Sequence, residues 1–245
     1  MEETPYIGSA IASLAYFAIG ACLLRLTFRT GSAPERLLTF TFLIWGLSYA
    51  LWIIPFAFPD CRGLESQFII ASEFTTDLGD ISVAFFPYMV FRRGSTWAKW
   101  LVAAITGCVI IGTTGSIWVG DLESANPLTN AWWWLGWLGV IASAIWIGTE
   151  GLHHYGTSRP RVRLGLCEPI VGHRYLLWGL AGVFWTLLDF LYVGQSLEFW
   201  VTGSWSAILD NIIGFLEIAA LVMIWLALFT PASYQRKINR SAVSA

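Results

Sequence analysis

The sequence has little charge and few of the residues that build soluble catalytic sites. Only 12% of its 245 residues are charged, against roughly 25% in soluble domains. It contains three histidines and just two lysines, Lys99 and Lys237. This scarcity of charge excludes an ordinary soluble domain. Because no basic stripe is interleaved with polar residues, nucleic acid is not an expected partner.

The four cysteines form no pattern that would bind a metal or build a disulfide framework. Cys22 and Cys108 lie in apolar runs, whereas Cys61 and Cys167 lie in loops predicted on opposite sides of a membrane. The sequence contains no CxxC motif and no Cys/His spacing typical of zinc ligands. Neither a structural zinc site nor a disulfide framework is therefore predicted.

What the sequence has in abundance is apolar and aromatic residues. Its hydrophobic fraction is 56% with fifteen tryptophans, and its mean hydropathy is +0.64. Seven apolar runs are long enough to cross a bilayer, and the loops between them are short. These predicted spans are residues 6–28, 37–58, 68–91, 97–118, 131–152, 175–195 and 205–229. We predict a single all-α domain over residues 1–245, a seven-transmembrane-helix bundle in the plasma membrane, or in the inner membrane of a bacterium.

Lysine and arginine are concentrated on one predicted side of this bundle. Of the 14 basic residues, all but Arg62 fall in loops or helix ends that share that side. Cytoplasmic loops are enriched in Lys and Arg, so the pattern predicts an outside N-terminus and a cytoplasmic C-terminus.

The third predicted span, residues 68–91, carries three carboxylates and no basic residue. At 100° per residue, Glu73, Asp77 and Asp80 fall within a sector of about 60° on one helical face. Each acid at bilayer depth costs at least about 2.5 kcal/mol, so three on one face indicate function. Such a cluster can hold protons, coordinate a cation through oxygen, or bind an organic cation.

Later spans repeat the pattern, with Asp189 in the sixth and Asp210 and Glu217 on one stripe of the seventh. If these stripes face a common centre, the acids form a ladder from the outer edge to mid-membrane. We predict that the ladder binds or relays protons or small cations, with Asp77 and Asp80 as central groups. A first alternative is a seven-helix receptor or sensor in which the same acids bind a small cationic ligand.

The second alternative is a membrane-embedded metal-dependent hydrolase, for which Glu150, His153 and His154 are weak candidate metal ligands. Seven-helix zinc hydrolases of the ceramidase and adiponectin-receptor type offer a precedent. No helix here carries two histidines one turn apart, however, and no catalytic residue is assigned. No cofactor is predicted either. Covalent retinal is excluded because the seventh span has no lysine to form a Schiff base.

One stretch of the chain resembles a known group of proteins. Residues 161–179, RVRLGLCEPIVGHRYLLWG, are similar to an inner loop and helix start found in uncharacterised bacterial seven-helix integral membrane proteins. The resemblance implies the same seven-helix fold and no particular activity.

Overall fold

The computed structural model describes residues 5–119, 129–204 and 206–243. In these ranges the chain forms α-helices, one short 3-10 turn at Pro59–Leu64 and no strand. The α-helices are α1 (Pro5–Thr30), α2 (Ala33–Ala57), α3 (Glu65–Phe91), α4 (Thr96–Trp118), α5 (Ala131–Arg163), α6 (Pro169–Thr202), α7 (Ala207–Leu228) and α8 (Ala232–Val243). The predicted all-α class is confirmed.

Six of the helices are long and apolar enough to cross a membrane. They are α1 from Ala10 onward, α2, α4, α5, α6 and α7. Length and composition thus support a multi-pass membrane protein, as the sequence predicts. At 27 residues α3 has the length of a span, but its carboxylates lower its hydropathy and it is not among the six. The count of seven spans stays a prediction.

The chain divides into two compact units. The first comprises residues 1–143 and 200–203, and the second comprises residues 144–199 and 204–245. One boundary therefore falls inside α5 and another near the end of α6. The single domain expected from the sequence stays a prediction.

In the first unit, α1 and α2 are antiparallel neighbours joined by a two-residue connection. The Ser13 hydroxyl donates a hydrogen bond to the Gly46 carbonyl over 2.9 Å. Near the connection, the Thr27 and Thr39 hydroxyls lie 3.0 Å apart. These two contacts fasten the helices at widely separated points. α2 then packs along α3, and α3 contacts α4.

Glycines let α4 approach the first half of α5 closely. A Cβ atom at Gly112 would lie only 2.4 Å from the Gly136 backbone nitrogen, and one at Gly115 would lie 2.3 Å from the Trp132 indole. Backbones come this close only where side chains are missing, as in many membrane helix pairs. The tryptophan therefore lies flat against a helix surface that a larger residue would block.

In the second unit, the rest of α5 packs on α6 through a similar glycine contact. A Cβ at Gly182 would lie 2.3 Å from the Gly148 nitrogen, and one at Gly151 would lie 2.5 Å from the Gly179 nitrogen. The two contacts lie three residues apart on each helix, and the later glycine of α5 meets the earlier glycine of α6. The two backbones therefore run antiparallel at close range for about one turn.

The helices of this unit extend beyond the predicted spans. α5 continues to Arg163 and α6 begins at Pro169. The polar residues beyond each apolar run are compatible with a helix, and the turn around Gly165 separates the two helices. α8 was not expected from the sequence. It follows α7 after Pro231, which has no N–H to continue the helix.

Candidate functional site

The three acids of α3 differ in exposure along the helix. Glu73 is exposed, Asp77 is half-buried and Asp80 is buried, with 8% of its surface accessible. α3 is helical at all three positions, as the spacing of the acids predicts.

Asp80 is held from α2. The indole N–H of Trp45 donates a hydrogen bond to Asp80 Oδ1 over 3.1 Å. The indole lies across α3 at Gly79, where a Cβ atom would come within 2.4 Å of Trp45 Nε1. On its other side, the Trp45 ring packs edge-on against Tyr16 and Phe42, with centroids 5.6 and 6.0 Å away. The position of the donor is therefore set by neighbours on three helices.

A group of hydroxyls continues the same α2–α3 interface one turn away. Ser48 Oγ lies 3.1 Å from both the carbonyl and the hydroxyl of Ser72, and it also contacts the Thr76 hydroxyl. Ser72 Oγ in turn donates to the Ser48 carbonyl over 3.0 Å. Sequence reasoning missed Ser48 and Ser72. In the sequence, the only indication is that two consecutive apolar runs each contain a serine at a similar predicted depth in the membrane.

Asp77 faces α4 instead. Its carboxylate accepts a hydrogen bond from the Thr113 side chain, and its charge acts on Glu73, one turn earlier on α3. Within the part of the chain that the structure describes, neither acid forms an ion pair with Lys or Arg. The structure therefore brings Glu73 and Asp77 together with a hydroxyl and without a positive charge.

The remaining predicted acids lie in the second unit. Asp189 on α6 is 6% exposed, and no described residue donates a hydrogen bond to it. Farther along, Gln195 is 1% exposed and its amide donates to Asp210 Oδ1 over 2.5 Å. Glu217 is half-buried on α7. α6 and α7 are thus joined at Asp210, an exposed acid that the sequence pattern assigned to the ladder.

The predicted ladder is divided between the two units. Glu73, Asp77 and Asp80 share a face in the first, whereas Asp189, Asp210 and Glu217 belong to the second. A common cavity for all six carboxylates stays a prediction.

The weak metal candidates form a smaller cluster. The Trp146 indole donates to Glu150 Oε1 over 3.2 Å, and His154 Nε2 lies 3.7 Å from Glu150 Oε2. His153 is exposed, and its ring centroid lies 5.6 Å from that of His154. Over residues 5–119, 129–204 and 206–243, no group of three or more His, Cys, Asp or Glu side chains is arranged to hold a metal ion. The geometry thus gives the hydrolase alternative no specific support.

The arrangement around α3 offers its carboxylates, hydroxyl oxygens from α2, α3 and α4, and a fixed indole donor. Oxygen ligands of this kind suit protons and hard cations. The chain matches no protein-family model, and comparison with curated proteins and with solved structures likewise finds no similar protein.

Proposed function

We propose that the protein is a seven-span membrane protein that binds and passes protons or small cations by way of the carboxylates of α3. The observation that carries the proposal is the Glu73–Asp77 pair. Two carboxylates lie one turn apart beside the Thr113 hydroxyl, and neither is paired with a described basic residue. Two negative charges this close are costly in a low-dielectric environment unless a proton or a cation neutralises them.

The packing of α3 supports its assignment as the seventh span. Its polar contacts with α2 extend from Ser72 to Asp80, and Asp77 contacts α4 through Thr113. Both α2 and α4 are candidate spans. A helix of 27 residues is about 40 Å long at 1.5 Å per residue, enough for a hydrocarbon core of about 30 Å. Packing along α2, together with the contact to α4, supports a common depth for the three helices, and we propose that the acids of α3 lie inside the bilayer.

The order of the three acids along α3 suggests a role for each. With the N-terminus outside, as the basic residues favour, α3 enters from the outer side and Glu73 is the first acid reached. Asp77, with the Thr113 hydroxyl, is the next oxygen site. Asp80 is the deepest, and the Trp45 bond fixes its orientation. Asp189, Asp210 and Glu217 would provide a second set of carboxylates in the other unit.

Flux through purified protein in liposomes tests this function. A pH-sensitive dye inside the vesicles reports proton entry under a pH gradient, and a sodium-sensitive dye reports cation entry under a sodium gradient. The Glu73→Gln/Asp77→Asn variant is expected to lower the flux at least about tenfold, equivalent to ~1.4 kcal/mol. Glu65→Gln, an exposed acid in the first turn of the same helix, is the matched control and should leave the flux unchanged.

The two gradients also separate protons from cations, since the site should conduct one of them preferentially. Wild-type flux in a folded Glu73→Gln/Asp77→Asn protein would contradict the proposal. Saturable thermal stabilisation by an organic amine, lost in the same variant and unaccompanied by flux, would favour the receptor alternative instead.

A further inference from the structure

The C-terminus of α5 ends in a defined capping motif. Gly165 has a φ of +68°, the left-handed conformation that glycine adopts without strain. The Leu166 N–H donates to the Arg161 carbonyl over 2.8 Å, and the Gly165 N–H donates to the Val162 carbonyl over 3.0 Å. This pair of bonds is the Schellman motif. It fixes the backbone of the turn on both sides of the glycine.

Two large apolar side chains project from this fixed turn. Leu164 is 73% exposed and Leu166 is 74% exposed. The Schellman motif usually turns the residue after the glycine back onto its own helix, so an exposed Leu166 is unusual. Arg161 and Arg163, immediately before the leucines, are also exposed. Exposed leucines next to exposed arginines suit a bilayer interface, where the apolar groups enter the acyl boundary and the guanidinium groups meet phosphates.

Contacts at the start of α6 bring α8 to the same end of the second unit. A Cβ atom at Gly172 would lie 2.9 Å from Ser158 Oγ on α5. At the next residue, His173 Nε2 lies 2.5 Å from the Tyr234 hydroxyl of α8, and the two rings meet edge-on. α6 therefore contacts the last turns of α5 through Gly172 and contacts α8 through His173.

α8 has the composition of a helix that lies on a membrane surface. It is 12 residues long, too short to cross a bilayer. Tyr234 and Ile238, one turn apart, are half-buried, whereas Arg236 is exposed. Its sequence also includes Lys237 and Arg240 and no acid. Arg174, on the first turns of α6, is exposed as well. Glu168 is an exposed acid in the α5–α6 connection, so the balance of charge at this end is strongly positive.

We propose that this end of the second unit binds the headgroups of anionic phospholipids. The lipid-binding face consists of Arg161, Arg163, Arg174 and Arg236, with Leu164 and Leu166 inserted between the lipids. Candidate spans α5, α6 and α7 begin or end here, so the face is continuous with the surface that the bilayer covers. Basic side chains near a membrane surface are attracted to anionic lipid, with a strength that falls as salt screens it. The proposal is independent of the α3 carboxylates.

Lipid retention by the full-length protein tests the proposal. Protein is exchanged into mixed micelles with equal amounts of phosphatidylglycerol and phosphatidylcholine, and native mass spectrometry counts the lipids of each kind that stay bound. The wild type should retain mainly phosphatidylglycerol at low salt and lose the preference at high salt. One basic side chain near an anionic membrane surface strengthens binding roughly fivefold. The triple variant Arg161→Gln/Arg163→Gln/Arg236→Gln should therefore reduce the preference for phosphatidylglycerol by at least about tenfold.

The matched control removes three charges elsewhere. Arg25→Gln/Arg29→Gln/Lys99→Gln changes three exposed basic residues of the first unit and should keep most of the phosphatidylglycerol preference. Equal losses in the two triple variants would show only general charge attraction and overturn the proposal. So would a wild type with no preference. Thermal unfolding of both variants in phosphatidylcholine alone checks that each is folded.

Discussion

The indole nitrogen of Trp45 lies 3.1 Å from Asp80 Oδ1 and joins α2 to α3 at a buried carboxyl. An indole donates a hydrogen bond without carrying a charge. The bond therefore orients the carboxyl and adds no positive charge beside it.

Removing the indole donor should destabilise the first unit. We expect Trp45→Phe to lower the free energy of unfolding by about 1–3 kcal/mol, because a buried carboxyl loses a hydrogen bond. Denaturant titration of purified protein in detergent measures the change. Trp118→Phe alters a tryptophan that is 89% exposed on α4, and should change stability by less than about 0.5 kcal/mol. Equal effects of the two substitutions would mean that the Trp45 bond contributes nothing.

The glycine under the indole gives a second, independent test of the same contact. A methyl group in Gly79→Ala would lie 2.4 Å from Trp45 Nε1, so the ring must move away from Asp80. We expect a loss of about 1–3 kcal/mol from this overpacking. The control is Gly107→Ala on α4, where a Cβ would meet no atom within 4 Å.

At Gly107 the better helix propensity of alanine should make the change neutral or stabilising by up to about 1 kcal/mol. If Gly79→Ala were stabilising as well, the indole would not lie against α3 as described. Intrinsic tryptophan fluorescence of the two variants provides a separate check on the position of the ring.

The hydroxyl beside Asp77 should matter for flux. Thr113→Val removes the hydrogen bond to the Asp77 carboxylate with little change in volume. We expect a smaller reduction in liposome flux than the double acid variant gives, since the carboxylates remain. Thr106→Val on the same helix removes a hydroxyl that is buried with no hydrogen-bond partner among the described residues.

That second substitution should leave flux unchanged and stabilise the protein slightly, because an unsatisfied buried hydroxyl is costly. Identical flux in the two valine variants would show that Thr113 plays no part in the pathway.

Most of the helices could be predicted from the sequence, since apolar runs of spanning length have few other structures available in a membrane. The ends of α5 and α6 could not, because charged and helix-breaking residues such as Arg159, Pro160, Pro169 and Glu198 interrupt the apolar runs there and lower the local hydropathy. α8 was missed for the same reason. Its larger apolar residues, Tyr234, Ile238 and Val243, are too few to form an apolar run, and the contact with His173 is visible only in the structure.

The candidate site was predictable only within a single helix. Helical spacing predicted that Glu73, Asp77 and Asp80 share a face, and α3 is helical at all three positions. Trp45 and Thr113, which hold two of those acids, come from other helices. The residues of α2 and α4 that face α3 depend on how each helix is rotated about its axis. An apolar helix is similarly hydrophobic on all its faces, so its sequence does not determine that rotation.

Two native cysteines make the membrane position of α3 directly measurable. Cys61 lies in the turn before α3, and Cys167 lies in the connection between α5 and α6. Both are half-buried. If α3, α4 and α5 all cross the membrane, three crossings separate the two cysteines and they lie on opposite sides. If α3 does not cross, two crossings separate them and they lie on the same side.

The decisive measurement is the sidedness of these cysteines. Two single-cysteine proteins are needed, Cys22→Ala/Cys108→Ala/Cys167→Ala and Cys22→Ala/Cys61→Ala/Cys108→Ala, each treated with a membrane-impermeant maleimide in intact and in permeabilised cells. We predict that Cys61 reacts in intact cells and that Cys167 reacts only after permeabilisation. Reaction of both cysteines from the same side would place α3 outside the bilayer and contradict a carboxylate pathway within it.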